Sequence, residues 1–230
     1  DEDPGLTDLE RRLFPENSRP GAAQTLVLLH TEPGKVPEHT GRWLAPRSLR
    51  RHVHVRTYHE PDYARLSRIL SGTAIGLVLA GGGAKGYAHL GVLKALRERG
   101  IPIDMVGGTS VGAMMAFFAA FDVDSETAIA QTRKRAFFNA TKDYTLPLLS
   151  LTRGGRINQV ILDTFQETFG NTAVHLEDAW LDYFVVSSNY TQARMEVHDR
   201  GPLFRYMRAS VSIPGAFPPV KDGHDLLIDG

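Results

Sequence analysis

Apolar positions along this chain change texture near residue 74. Before that point one continuous run stands out, Thr25-Leu26-Val27-Leu28-Leu29-His30, and it predicts a buried strand. Pro15, Pro20, Gly21, Pro33, Gly34, Pro37, Gly41 and Pro46 around it are loop chemistry. Leu66, Ile69 and Leu70 recur at helical spacing within 62–70. Residues 47–56 carry Arg47, Arg50, Arg51 and Arg56 around His52 and His54, and read as a solvated basic stretch. In a strand the two imidazoles would share a face, yet no third metal ligand stands nearby. Residues 1–73 are therefore expected to form an N-terminal adaptor or the end of a preceding domain.

From residue 74 the pattern is regular. The run 75–80 is apolar throughout and closed by glycines, which predicts a strand buried on both faces. Residues 87–99 place Leu90, Leu93 and Leu96 on one helical side, with Gly100 and Pro102 as stop signals. A short strand at 103–106 and an alanine-rich, buried helix at 111–121 follow. Strand, helix, strand, helix predicts a right-handed parallel βαβ unit. Further on, 183–188 reads as a strand paired with 193–198 through the Asn189-Tyr190-Thr191 turn. A short helix at 203–210, a stiff proline loop at 213–219 and a last strand at 226–228 complete an α/β domain over 74–230.

Composition narrows the chemistry. Lys plus Arg and Asp plus Glu number 26 each, so bulk charge gives no argument for a nucleic-acid partner. The absence of cysteine excludes disulfides, thiolate metal sites and a cysteine nucleophile. No apolar run is long enough to span a bilayer, and no signal-peptide pattern follows Asp1. The chain opens without Met and ends at Asp229-Gly230, so both ends read as cuts and the domain as C-terminally incomplete.

Two glycine-rich turns carry the candidate chemistry. Gly108-Thr109-Ser110-Val111-Gly112 has the spacing of a nucleophile elbow, in which flanking glycines let a strand turn into a helix with the serine at the bend. Gly81-Gly82-Gly83-Ala84-Lys85-Gly86 can aim backbone N–H groups at a developing negative oxygen. The second turn also fits the dinucleotide fingerprint, with Asp104 as its downstream acid, so a nucleotide- or phosphate-binding module is the rival. The triple glycine, Lys85 inside the turn and the otherwise unexplained elbow count against it. An inactive lipid-binding remnant is a third reading. For the base, His175, His198 and His224 follow Ser110 outside any motif and read as surface residues. Asp229 ends an apolar strand before Gly230. A half-buried carboxylate can accept a proton, and Asp-Gly is also an ordinary turn pair. The residues alone leave that choice open.

The motifs G-G-G-x-K-G, G-T-S-V-G and Asp-Gly, in that order, resemble those of the patatin-like phospholipases. The runs 76–112, 143–147 and 208–219 are similar to the branch related to neuropathy target esterase, as found in bacteria. The resemblance covers about residues 70–230, with a weaker match back to Leu26. It implies a three-layer α/β/α sandwich with a mainly parallel central sheet. It implies a Ser–Asp dyad in which Ser110 attacks an acyl ester, Asp229 takes the proton and the N–H groups of Gly81, Gly82 and Gly83 hold the oxyanion. Lys85, Gly86, Gly108, Gly112 and Gly230 would support these motifs, and neither metal nor organic cofactor is called for. The implied substrates are lysophospholipids and phospholipids, met at the cytoplasmic face of a membrane by a peripheral protein. Cyclic-nucleotide-binding-like domains are implied upstream in the parent chain.

Overall fold

The computed structural model describes residues 3–13, 24–136, 143–145 and 150–230. Pro15, Pro20, Gly21 and the Leu146-Pro147 pair lie outside the described residues. The N-terminal part holds α1 (Asp8–Leu13), β1 (Thr25–His30), α2 (Thr40–Leu44), β2 (Arg51–Arg56) and α3 (Glu60–Ser71). Its two strands pair in parallel as a sheet of their own. Then come β3 (Gly76–Leu79), a 3-10 turn at Gly83–Tyr87, α4 (Ala88–Glu98), β4 (Met105–Thr109), α5 (Val111–Ala120), α6 (Ser125–Ala136) and α7 (Gly155–Phe169). The chain continues through β5 (Asp182–Asn189), β6 (Arg194–His198), α8 (Leu203–Ser210), β7 (Val220–Asp222) and β8 (Asp225–Asp229).

The fold is α/β. Strands β3, β4 and β5 pair in parallel, and antiparallel strands extend this core. β6 runs along Val185–Asn189 on one edge of β5. The other edge is shared: β4 takes 182–186 and β8 takes 187–189. β7 closes the hairpin on β8. Strand alternation turns Leu79, Val106, Val185 and Leu227 to the buried face. Against that face lies α5, which has no polar side and is buried nearly all round, as such a helix must be. Phe117 of α5 stacks on Phe165 of α7 at 5.3 Å, and Met207 of α8 joins the same core.

Four expectations need correction. β3 is not buried on both faces: Val78 is 70 % exposed, because β3 ends the ladder and this side chain points away from the helices. β1 is only half-buried, with Leu29 at 63 % exposure, because its sheet has two strands and a single covered face. The strand expected at 103–106 starts at Met105 and runs to Thr109, since Gly107 and Gly108 continue the ladder against β5 despite their poor strand propensity. The basic stretch is not a solvated loop: 51–56 is β2, with Val53, His54 and Val55 buried.

Three arginines of the N-terminal part are paired at one end of the main sheet. Arg51 meets Asp182 at the start of β5 at 3.1 Å, and Arg68 meets the fully buried Asp104 just before β4 at 2.6 Å. Arg56 pairs with the buried Asp62 and with Asp122, both at 2.7 Å. His52 and His54 do share a face, and both donate Nε2–H to the Glu177 carbonyl, at 3.1 and 2.9 Å. That leaves Nδ1 of the neutral His54 to accept from Nε2–H of His30 at 2.9 Å.

Burial pushes the His54 pKa down to about 3 and lowers that of His30 as well. A histidine depressed in the folded state stabilises it above the unfolded pKa of about 6.5, and this is lost as pH falls towards the folded value. The urea midpoint is therefore expected to fall between pH 7 and pH 5, with His54 alone contributing about 2 kcal/mol at pH 5. The slope of midpoint against pH should flatten in His54→Gln; an unchanged slope would show that His54 is not held neutral.

Candidate active site

β4 delivers Ser110 at its carboxyl end in a strained backbone conformation, φ 53° and ψ −129°, a region non-glycine residues rarely occupy. The flanking glycines explain how the bend is tolerated. A Cβ at Gly108 or at Gly112 would run into the Leu79 carbonyl oxygen at the end of β3. A side chain at Gly86 would strike Val111, the residue after the bend. The elbow is thus pressed against the strand that feeds the glycine loop. That loop lies close: a Cβ on Gly81 would stand 3.3 Å from the Ser110 Cβ. Gly83 has a φ of 55°, and all three glycines are exposed. Among the described residues no hydrogen bond from the N–H of Gly81, Gly82 or Gly83 is found. The loop is tethered at its start, where His89 donates Nε2–H to the Ala80 carbonyl at 2.9 Å. Lys85 is exposed, and its backbone N–H donates to the Gly82 carbonyl at 3.2 Å.

Asp229 arrives from the opposite direction. Thr109 of β4 faces Val186 of β5, and Asp229 of β8 faces Ser187, the next residue. The carboxyl ends of two strands therefore meet head to head on one edge of β5. Ser110 Oγ donates to Asp229 Oδ2 at 3.1 Å. Thr109 Oγ1 donates to the Gly230 carbonyl at 3.1 Å, and a side chain at Gly230 would strike that same threonine. Burial raises the Asp229 pKa above the ordinary carboxylate value, opposed by hydrogen bonds from the Ser110 hydroxyl and the Gly230 N–H.

Serines that the residue pattern did not single out complete the site. The Ser110 N–H donates to Ser210 Oγ at 2.8 Å, and that hydroxyl donates to the Val186 carbonyl at 2.6 Å. The Asp229 N–H donates to the Ser212 carbonyl at 3.0 Å. Nothing in spacing marks these positions, since their partners lie on other strands. Among the described contacts no histidine reaches Ser110 or Asp229. His198 is a correction: it is half-buried, bonds Ser187 Oγ through Nε2 at 2.7 Å and stacks on Tyr206 at 4.0 Å. Asp104, the acid a dinucleotide reading requires, is held by Arg68 and the Ile75 N–H at the amino end of β4, the end away from the glycine loop. One turn into α5, Met114 helps line an apolar recess of about 50 Å³ with Tyr87, Phe118, Ile161, Phe165 and Met207.

Comparison with known proteins bears on the same residues. The family profile described as patatin-like phospholipase matches residues 77–230. Human patatin-like phospholipase domain-containing protein 6 is 38 % identical over 268 residues, covering 100 % of this chain and 18 % of its own length. The mouse domain-containing protein 7 is 38 % identical over 269 residues, covering 100 % of this chain and 19 % of its own. Lysophospholipase NTE1 of Candida glabrata is 44 % identical over 177 residues, covering 75 % of this chain and 10 % of its own. The chain thus spans a fifth or less of the length of these relatives.

Gly108→Ala is expected to destabilise the protein by about 1–3 kcal/mol, because the methyl must displace the end of β3. Gly91→Ala in α4, where a Cβ meets nothing within 4 Å, should instead stabilise by about 0.5–1 kcal/mol. Urea unfolding of both variants checks the pair; equal effects would remove the close-approach explanation of the motif.

Proposed function

This chain belongs to the patatin-like phospholipase family, and from that membership we propose an acyl ester hydrolase in which Ser110 and Asp229 act as a catalytic dyad on lysophospholipids and phospholipids. The observation that carries the proposal is the hydrogen bond from Ser110 Oγ to Asp229 Oδ2, made by a carboxylate whose proton affinity burial has raised. A serine hydroxyl needs a nearby acceptor of its proton, and a carboxylate becomes a better one as its pKa rises towards the working pH. In the proposed sequence Ser110 Oγ attacks the acyl carbonyl while its proton passes to Asp229. The oxyanion is met by the unpaired N–H groups of Gly81, Gly82 and Gly83, with the positive end of α5 beneath it. Asp229 returns the proton to the departing alcohol and then takes one from the water that releases the acid. Each step uses this chain's own residues.

The surroundings support this substrate class. The recess beneath α5 is lined by methionine and aromatic side chains suited to the first methylenes of an acyl chain. Leu151 and Ile213, exposed at 56 % and 46 %, stand on segments tied together by the Leu151 N–H to the Gly215 carbonyl. The second of these segments begins beside Asp229, which supports docking at a lipid surface. Among the described residues no helix is long and apolar enough to cross a membrane. Residues 1–73 fit an adaptor role, since their contacts with the main sheet gather at the end away from Ser110.

Labelling with a fluorophosphonate probe tests the nucleophile: the chain should be modified, and Ser110→Ala should not. Tight NAD(H) binding without labelling would favour the nucleotide-binding alternative instead. Asp229→Asn is expected to reduce ester turnover about a thousandfold. In the parent, turnover should fall with falling pH through a point above the ordinary carboxylate pKa of about 4, because Asp229 must be ionised to act. A carboxyl with a raised pKa stabilises the fold at low pH and ceases to do so as pH rises through its folded value. The melting temperature of Asp229→Asn at pH 8 should accordingly not lie below that of the parent.

A further inference from the structure

We propose that the last turn of α8 and the two residues beyond it act as a jig that sets Ser110 against Asp229, with Ser210 as the positioning residue for the nucleophile. This rests on the dyad reading above. A serine at φ 53° keeps that conformation only where its surroundings over-determine it. The bond from the Ser110 N–H to Ser210 Oγ, 2.8 Å long, supplies such a constraint. Ser210 is fully buried, and its own proton is committed to the Val186 carbonyl at 2.6 Å. The hydroxyl therefore has one orientation, with a lone pair turned to the elbow. Val186 is also the β5 residue that faces Thr109 in the ladder, so the two tethers of the elbow end on one residue.

The other half of the dyad hangs from the same turn. The Ser212 carbonyl accepts the Asp229 N–H at 3.0 Å. The Ser212 hydroxyl donates to the Arg208 carbonyl at 2.8 Å and accepts from the Arg208 guanidinium. Arg208 is buried, is anchored on Asn158 of α7 at 2.7 Å and lies over the Phe217 ring. Ser110 and Asp229 are thus each bonded to a point on one short, internally braced segment, separately from their bond to each other. A second consequence concerns the oxyanion. The N–H of Ser110 is occupied by Ser210, so stabilisation of the intermediate falls to the glycine loop.

The test compares Ser210→Ala and the near-isosteric Ser210→Cys with the parent, using a short-chain p-nitrophenyl ester. Turnover is expressed per active site titrated with the fluorophosphonate. We expect kcat per titrated site to fall about a hundredfold in Ser210→Ala, with KM within twofold, and to fall less in Ser210→Cys. Phosphonylation of Ser110 should slow in parallel. If Ser210 only completes the hydrogen bonding of α8, the melting temperature will drop while kcat per titrated site stays within twofold of the parent or rises; that result overturns the inference. Should Ser210→Ala not fold, the same criterion applies to Ser210→Cys. Asp229→Asn is assayed alongside: if it keeps parental turnover, the dyad reading has failed, whereas an inert Asp229→Asn beside a fully active Ser210→Ala rejects the jig alone.

Discussion

Two consecutive residues of β5 hold this structure's candidate chemistry together. Val186 pairs with the end of a parallel strand and Ser187 with the end of an antiparallel one, on the same edge. Strands approaching from opposite directions can share an edge only if both stop at the junction. The parallel strand stops at Thr109, where the chain bends at Ser110, and the antiparallel one pairs as far as Asp229. A bond between side chains 119 residues apart in sequence is thereby a consequence of backbone pairing. The side chains need little freedom to find each other, which keeps the entropic cost of their contact low.

Charge is handled differently at the two ends of the sheet. At the amino ends of β4 and β5, Asp104 and Asp182 each face an arginine from the N-terminal part. Asp62 is braced by Arg56 and Arg65 in the same region, and its pKa is lowered to about 2. At the carboxyl ends, Asp229 is half-buried, and among the described residues no cation is paired with it. Desolvation outweighs attraction at Asp229 and also at the arginine-paired Asp182, and loses at Asp62, so what sets the candidate base apart is that its carboxylate meets a serine hydroxyl in place of a guanidinium.

The elbow leads directly into the aromatic core. α5 begins immediately after Ser110 and runs through the aromatic core of Phe117, Phe165 and Phe169. Local distortion costs stability, and a helix that cannot shift without opening that core keeps the distortion in place. The histidine ladder from His30 through His54 to the Glu177 carbonyl fastens the N-terminal sheet at the far end of the domain.

Much was legible in the residues themselves. The alternation of apolar runs and helical periodicities specified the strand–helix rhythm, and the glycine spacing specified the bend at Ser110, because both depend on neighbours a few positions away. The burial of β3 and the character of 47–56 were misread for the converse reason. Whether Val78 meets a helix, or Arg51 meets Asp182, is decided by partners that no local pattern names. The same holds for Ser210, Ser212 and the half-buried His198. Residue types and their order were enough to propose a nucleophile and to leave Asp229 undecided between its base and an ordinary turn residue. Only the assembled sheet put Asp229 within hydrogen-bond reach of Ser110, because strand register fixes distances that sequence separation cannot express.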